Sequence, residues 1–227
     1  MSQHTRSDAV KILGLDPQRV EVIYPGVAEA YFEVTAADVH SVRDKYRLDR
    51  PYVLFVGTVE PRKNILGLLA AYAQLSATTR QEYELVVAGP VGWADRATVA
   101  QVRAASQGVR YLGYVPEQDL AGLTAGAALV AYPSFYEGFG FPVAQALAAG
   151  TAVLTSNVSS LPEIAGDAAL LVDPHSPAEL RDGLEKLLTS PSLRERLGAQ
   201  GRLRARTFRW ENTARASLAW FRRIAGA

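Results

Sequence analysis

Six short apolar runs mark out the chain, at residues 52–56, 85–88, 109–112, 127–132, 152–155 and 170–172. They show little of the apolar–polar alternation of a half-exposed strand, so each predicts a strand covered on both faces, as in a parallel sheet. Segments of about 10 to 25 residues separate them, several at helical period, as βα units require. Upstream, residues 6–13 carry a short helical pattern ended by Gly14, and Asp16-Pro17 turns the chain. Residues 20–24 then predict a strand stopped by Pro25-Gly26, and a polar helix follows around 38–46. Downstream, helices are expected over 177–188, 193–207 and 210–225. The last carries an apolar stripe at Trp210, Ala214, Leu218, Phe221 and Ala225. The pattern predicts a doubly wound α/β domain, whose ligands bind beyond the C-terminal ends of the strands.

Every chemically suggestive motif falls at such an end. After residues 127–132 the chain reads Pro133-Ser134-Phe135-Tyr136-Glu137-Gly138-Phe139-Gly140-Phe141-Pro142, then helix formers through Gln145 to a stop at Gly150. Gly138 and Gly140 let backbone approach a ligand, and a helix beginning near Pro142 offers free N–H groups and a positive dipole end. Glu137, at the lip, would repel phosphate and accept hydrogen bonds from sugar hydroxyls. The same spacing also suits a plain glycine turn with Glu137 as a solvated acid.

The first strand runs into Gly57-Thr58-Val59-Glu60-Pro61-Arg62-Lys63-Asn64. Arg62 and Lys63 precede a helix expected to start at Asn64, a good N-cap type. Two cations beside a helix N-terminus suit a diphosphate, Arg by its fork and Lys as a point charge. A solvated Arg-Lys pair is the other reading, and the spacing is not that of a Walker loop. Gly89-Pro90-Val91-Gly92-Trp93 is a second glycine turn, with a role in backbone geometry. Beyond the third strand, Tyr114 either stacks on a base or is a half-buried tyrosine.

Composition narrows the function classes. At 227 residues the chain has room for one large or two small domains. With 48% apolar and 21% charged residues it is globular, and a net charge of +1 argues against a nucleic-acid partner. The absence of cysteine excludes disulfides, thiolate metal sites and a thiol nucleophile. His4, His40 and His175 are scattered and no Asp-x-Asp pair occurs, so no metal and no cofactor is expected. His175 reads as a loop residue. No apolar run approaches the ~20 residues of a membrane span, and residues 1–14 are unlike a signal peptide. A cytoplasmic location is expected. The run Arg194, Arg196, Arg202, Arg204, Arg206 and Arg209 reads first as a solvated helix face, and second as peripheral contact with the inner face of the membrane.

The stretch around Glu137 closely resembles the donor-site signature of the family-4 retaining glycosyltransferases, which have the GT-B architecture of two facing Rossmann-like domains. That signature, Glu-x7-Glu, is written Glu-Gly-Phe-Gly-x-Pro followed by a second Glu and an Ala-Gly end. Glu137, Gly138, Phe139, Gly140 and Pro142 match it. Gln145 stands where the second Glu would grip the nucleotide ribose, leaving an uncharged acceptor. The resemblance implies that Lys63 binds phosphate. The family's frequent arginine lies five residues earlier, where this chain has Thr58, and Arg62 takes over its role. Gly57, Thr58 and the turn from Gly138 to Phe141 would line the donor, and Tyr114 and Val115 would border its base.

By the same resemblance, residues 1–26 are a remnant of an N-terminal Rossmann domain that the chain otherwise lacks. Residues 27–50 are a linker, 51–207 the nucleotide-sugar-binding domain, and 208–227 a crossover helix. The first elements of a complete single domain are the alternative. Residues 156–163 and 166–174 resemble bacterial enzymes that build surface polysaccharides, several of which use GDP-mannose. The expected activity is retaining hexosyl transfer from a nucleotide diphosphate-sugar to a glycan or lipid-linked acceptor. Glu137 is expected at the catalytic centre, and the chain by itself is expected to transfer poorly. Gln145 and the missing half also motivate a non-catalytic nucleotide-binding or interaction module. A sugar epimerase of the same architecture resembles other signature patterns.

Overall fold

A computed structural model describes residues 2–92, 96–104 and 108–226. Trp93, from the second glycine turn, lies outside the described residues. Six strands form one sheet: β1 (Tyr52–Val56), β2 (Glu84–Ala88), β3 (Val109–Gly113), β4 (Leu129–Tyr132), β5 (Val153–Ser156) and β6 (Leu170–Val172). The order is β3-β2-β1-β4-β5-β6 and every pairing is parallel. This is the Rossmann-like order, in which the chain winds one way from β1 and then the other way from β4. The doubly wound α/β fold expected from the apolar runs is therefore present. Strand bounds shift by no more than two residues, since Ala127 and Ala128 only lead into β4.

The helices are α1 (Gln3–Leu13), α2 (Ala36–Tyr46), α3 (Ile65–Ala73), α4 (Ala77–Glu82), α5 (Arg96–Ala104), α6 (Glu117–Ala125), α7 (Phe141–Ala149), α8 (Leu161–Ala165), α9 (Pro177–Leu188), α10 (Pro191–Ala205) and α11 (Trp210–Ala225). Helix α3 packs on α5 and α9, while α2, α6, α7 and α10 contact one another in succession. Strands β2, β4 and β5 are buried end to end and β1 all but Val56, whereas β3 is half-buried throughout because it is an edge strand. Residues 27–50 add Val27, Tyr31, Val42 and Leu48 to the same core.

Four sequence expectations need correction. Residues 20–24 are extended but belong to no strand. Side chains take two of their carbonyls: Arg6 Nε donates to Val20 O (2.8 Å) and Thr213 Oγ1 to Tyr24 O (2.8 Å). Helix α1 starts three residues early because the Ser2 hydroxyl accepts from Thr5 N. Asn64 does not cap α3: it adopts a left-handed conformation (φ 54°) after a 3-10 turn over Pro61–Lys63, and its Nδ2 donates to Pro174 O (2.8 Å). The arginine run is only partly a solvated face. Arg194 caps the end of α9 through Leu187 O and Leu188 O, and Arg204 donates to Glu163 O and Ile164 O.

The stripe on α11 stays exposed, with Trp210, Leu218 and Phe221 at 57%, 50% and 64%. Among the described residues, no helix is long and apolar enough to cross a membrane.

Adjacent strand ends approach so closely that Gly89 must be glycine. Gly57 N donates to Ala88 O (2.9 Å) and Gly89 N to Gly113 O (2.7 Å). A Cβ at Gly89, where φ is +143°, would lie 2.1 Å from Gly57 O. Gly89→Ala should therefore cost about 3 kcal/mol through backbone displacement and an unfavourable φ. Urea denaturation measures it; an unchanged midpoint would show that the strand ends yield freely.

Candidate functional site

The sheet reverses its winding between β1 and β4, the switch point beyond whose strand C-termini such folds place their ligand crevice. Two loops flank it. The first, residues 57–64, leaves β1, tightens into the 3-10 turn over Pro61–Lys63 and enters α3 through Asn64. The second, residues 133–140, leaves β4 and enters α7 through Gly140 (φ +100°), with Pro142 in the first helical turn. Neither α3 nor α7 has a side-chain N-cap, as is also true of α6, α8, α10 and α11, whereas Ser2, Thr35, Ser76 and Ser176 cap α1, α2, α4 and α9. Two positive helix ends therefore border one crevice.

Side chains 74 residues apart meet across it. Glu137 is not a solvated lip acid: it is 8% exposed. Its Oε1 accepts from Tyr132 OH (2.7 Å) and Ser134 Oγ (3.0 Å), and pairs with Arg62 Nη1 (2.9 Å) and Lys63 Nζ (3.4 Å). Burial pushes the carboxyl pKa up, but Lys63, the Tyr132 hydroxyl and Arg62 outweigh it and hold Glu137 below its ordinary value. Tyr132 also accepts from Lys63 Nζ (2.6 Å), and burial beside Glu137 keeps its hydroxyl protonated far above the usual range. Lys63 lies flat over Gly57, where a Cβ would sit 3.2 Å from its Cδ. The Arg62 fork is already engaged, donating to Glu60 Oε1 (2.6 Å) and Tyr136 O (2.5 Å) as well as pairing with Glu137. Backbone joins the loops too, through Phe135 N to Arg62 O (2.9 Å).

Serines at the end of β5 and just beyond it hold the glycine turn. Ser156 Oγ donates to Ser134 O, Ser160 Oγ to Glu137 O (2.8 Å) and Phe139 O (3.0 Å), and Ser159 Oγ accepts from Glu137 N. Phe139 turns its ring inward against Tyr24, Phe141 and Phe208, which leaves only its backbone at the crevice. From α1, Thr5 Oγ1 donates to Gly138 O (3.0 Å) and Asp8 accepts from Tyr136 OH (2.6 Å).

The remaining predicted positions lie around this centre. The Thr58 methyl sits beneath Gly92. Tyr114 is 72% exposed and Val115 buried, between β3 and α6. Gln145 is half-buried on α7, one turn beyond Phe141. His175 stacks on Phe135 with centroids 4.7 Å apart. Sequence reasoning passed over Tyr132, Glu60, Ser159 and Ser160. The signal for Tyr132 was a hydroxyl at the end of an otherwise aliphatic buried strand, which must find a partner.

Residues 39–204 match the family model described as Glycosyl transferases group 1. O-antigen chain mannosyltransferase B of Escherichia coli is 40% identical over 215 residues, which are 93% of this chain and 56% of that protein. The serotype-specific mannosyltransferase WbdA of Escherichia coli is 32% identical over 230 residues, 99% of this chain and 28% of that one. The crystal structure of WaaG, a glycosyltransferase involved in lipopolysaccharide biosynthesis, superposes with a TM-score of 0.79 at 25% identity, over 91% of this chain and 57% of that one. The chain thus spans about half the length of the first of these relatives, and less of the second.

Because Glu137 is held below its ordinary value of 4.5, its ionised form stabilises the fold fully above that value, and the contribution is lost as pH falls through the lower native value. Glu137→Gln should cost roughly 1–3 kcal/mol at pH 7, with the gap from the wild type narrowing below pH ~4. Urea midpoints across that range test this, and a gap that is constant with pH would refute an ionised, paired Glu137.

Proposed function

The chain belongs to the group 1 glycosyl transferases, and from that premise we propose that it supplies the donor site for sugar transfer to a glycan or lipid-linked acceptor. The donor is a nucleotide diphosphate-sugar; the names of the relatives favour mannose as its sugar, and GDP-mannose is the candidate that the resemblance of residues 156–163 and 166–174 suggests. The observation that carries this reading is the junction of the β1 and β4 loops. It sets Lys63, Glu137 and two uncapped helix ends around one crevice.

Each group has a task that its chemistry suits. The ammonium of Lys63 and the amides leading into α3 and α7 take the diphosphate, whose charge grows as the glycosidic bond breaks. Lys63 and the helix ends stabilise the leaving group, so no metal is called for. Glu137 accepts from hydroxyls of the transferred sugar, and Gln145 from the ribose. Tyr114 and Val115 border the base. In a retaining transfer the acceptor oxygen bonds to the anomeric carbon on the side the diphosphate leaves. A leaving phosphate oxygen takes the acceptor's proton, so that nucleoside diphosphate and glycoside balance the step.

The amide at Gln145, where the matching signature carries a carboxylate, favours as a second reading a module that binds nucleotide without turnover. Formation of glycoside or of free sugar from GDP-mannose separates the two. Calorimetry with GDP and UDP tests the shared premise. At least one should bind, and Lys63→Ala should weaken it tenfold or more; no binding of either with Lys63 intact would sink the donor-site reading.

A further inference from the structure

Arginine beside a diphosphate crevice invites assignment as a phosphate ligand, yet the surroundings of Arg62 argue otherwise. A guanidinium has five N–H donors in a fixed fork. Here three acceptors hold it: Glu60 Oε1 at 2.6 Å, Glu137 Oε1 at 2.9 Å and Tyr136 O at 2.5 Å. Both carboxylates are 8% exposed, so turning the fork toward a ligand would leave two buried anions without their shared partner. Around the crevice Glu60 and Glu137 already balance Arg62 and Lys63. Lys63 differs in kind, since its closest partner is a neutral hydroxyl, Tyr132, and Glu137 lies farther off at 3.4 Å.

We propose that Arg62, anchored by Glu60, is a positioning residue that fixes the Glu137 carboxylate toward the sugar, and that Lys63 alone of the pair meets the diphosphate. This rests on the donor-site reading. All four side-chain contacts of Glu137 described above converge on Oε1, so Oε2 is the oxygen assigned here to sugar hydroxyls. Glu60 sets the fork from the β1 side, and its Oε2 lies under Gly92 of the neighbouring glycine turn. The chain Glu60–Arg62–Glu137 thus ties the β1 turn to the orientation of a single oxygen on the β4 loop.

A split between nucleotide and sugar recognition tests the assignment. The 227-residue chain and its Arg62→Gln, Glu60→Gln and Lys63→Ala variants are titrated calorimetrically with GDP, UDP, GDP-mannose and UDP-glucose. Glu137 is followed by carboxyl 13C NMR, its signal assigned with Glu137→Gln. Arg62→Gln should raise the Glu137 titration. It should also remove the gain in affinity that the sugar brings over the bare diphosphate, with GDP and UDP affinity falling no more than threefold. Lys63→Ala should weaken all four nucleotides. A tenfold loss of GDP or UDP affinity in Arg62→Gln, or an unmoved Glu137 titration, overturns the proposal.

Should Arg62→Gln fail to fold, Glu60→Gln decides. A sugar gain cut at least threefold with GDP and UDP affinity held supports the positioning role, and any other split overturns it. Absence of all nucleotide binding by the wild type would instead refute the donor-site reading, while the NMR titration still reports whether Arg62 governs Glu137.

Discussion

A carboxylate buried at the crossing of two loops governs this site. Glu137 would be expensive to bury by itself, because desolvation alone disfavours the ionised form. It remains ionised because Lys63, Arg62, Tyr132 and Ser134 converge on it. The dependence is mutual: Arg62 and Lys63 would be two like charges in neighbouring positions, and Tyr132 a buried hydroxyl, without the acid between them. Such a cluster adds little net stability over an apolar replacement, but removing any one member is costly. Its effect is geometric. It fixes loops from β1 and β4 against each other at the one place where the sheet changes winding.

The backbone is arranged so that this can happen. Gly57 and Gly89 lack side chains where strand ends nearly touch, and the bare Gly57 gives the Lys63 stem a surface to lie on. Gly140 turns the chain into α7 in a left-handed conformation, beside Leu161, where a Cβ would meet Cδ2 at 2.7 Å. Serines at 156, 159 and 160 satisfy carbonyls and amides of the glycine turn that water would otherwise have to reach. The turn is thus held by hydrogen bonds from its own chain, and orientation in advance is what makes amides effective against developing charge.

The central strands were legible because burial on both faces leaves a direct trace, an unalternating apolar run. β1 and β6 carry the predicted bounds, and the other four shift only at their ends. The segment at 20–24 carried the same trace without joining the sheet, since sheet pairing is not written in local sequence. The site loops were legible as glycine turns at strand ends. What local pattern does not encode is which charges meet across the crevice. Arg62 and Lys63 look equivalent as adjacent cations, yet one lies between two carboxylates and the other against a tyrosine hydroxyl. Asn64 was misread for a related reason: its residue type suits a cap, but Pro174 from a distant loop takes its amide.

That difference between neighbouring cations bears on how the crevice can treat a charged ligand. If both were free, a diphosphate would be bound by net positive charge, and any polyanion of similar size would compete. With Glu60 and Glu137 balancing them, the crevice carries almost no net charge from its four ionised groups. On the proposed assignment, attraction then comes from one lysine and from amide dipoles at two helix ends, which act over a few ångströms and only along their axes. Such a field selects by shape and direction more than by charge. It matches a ligand whose phosphates sit at the helix ends while a neutral, hydroxyl-rich group lies beside a fixed carboxylate oxygen.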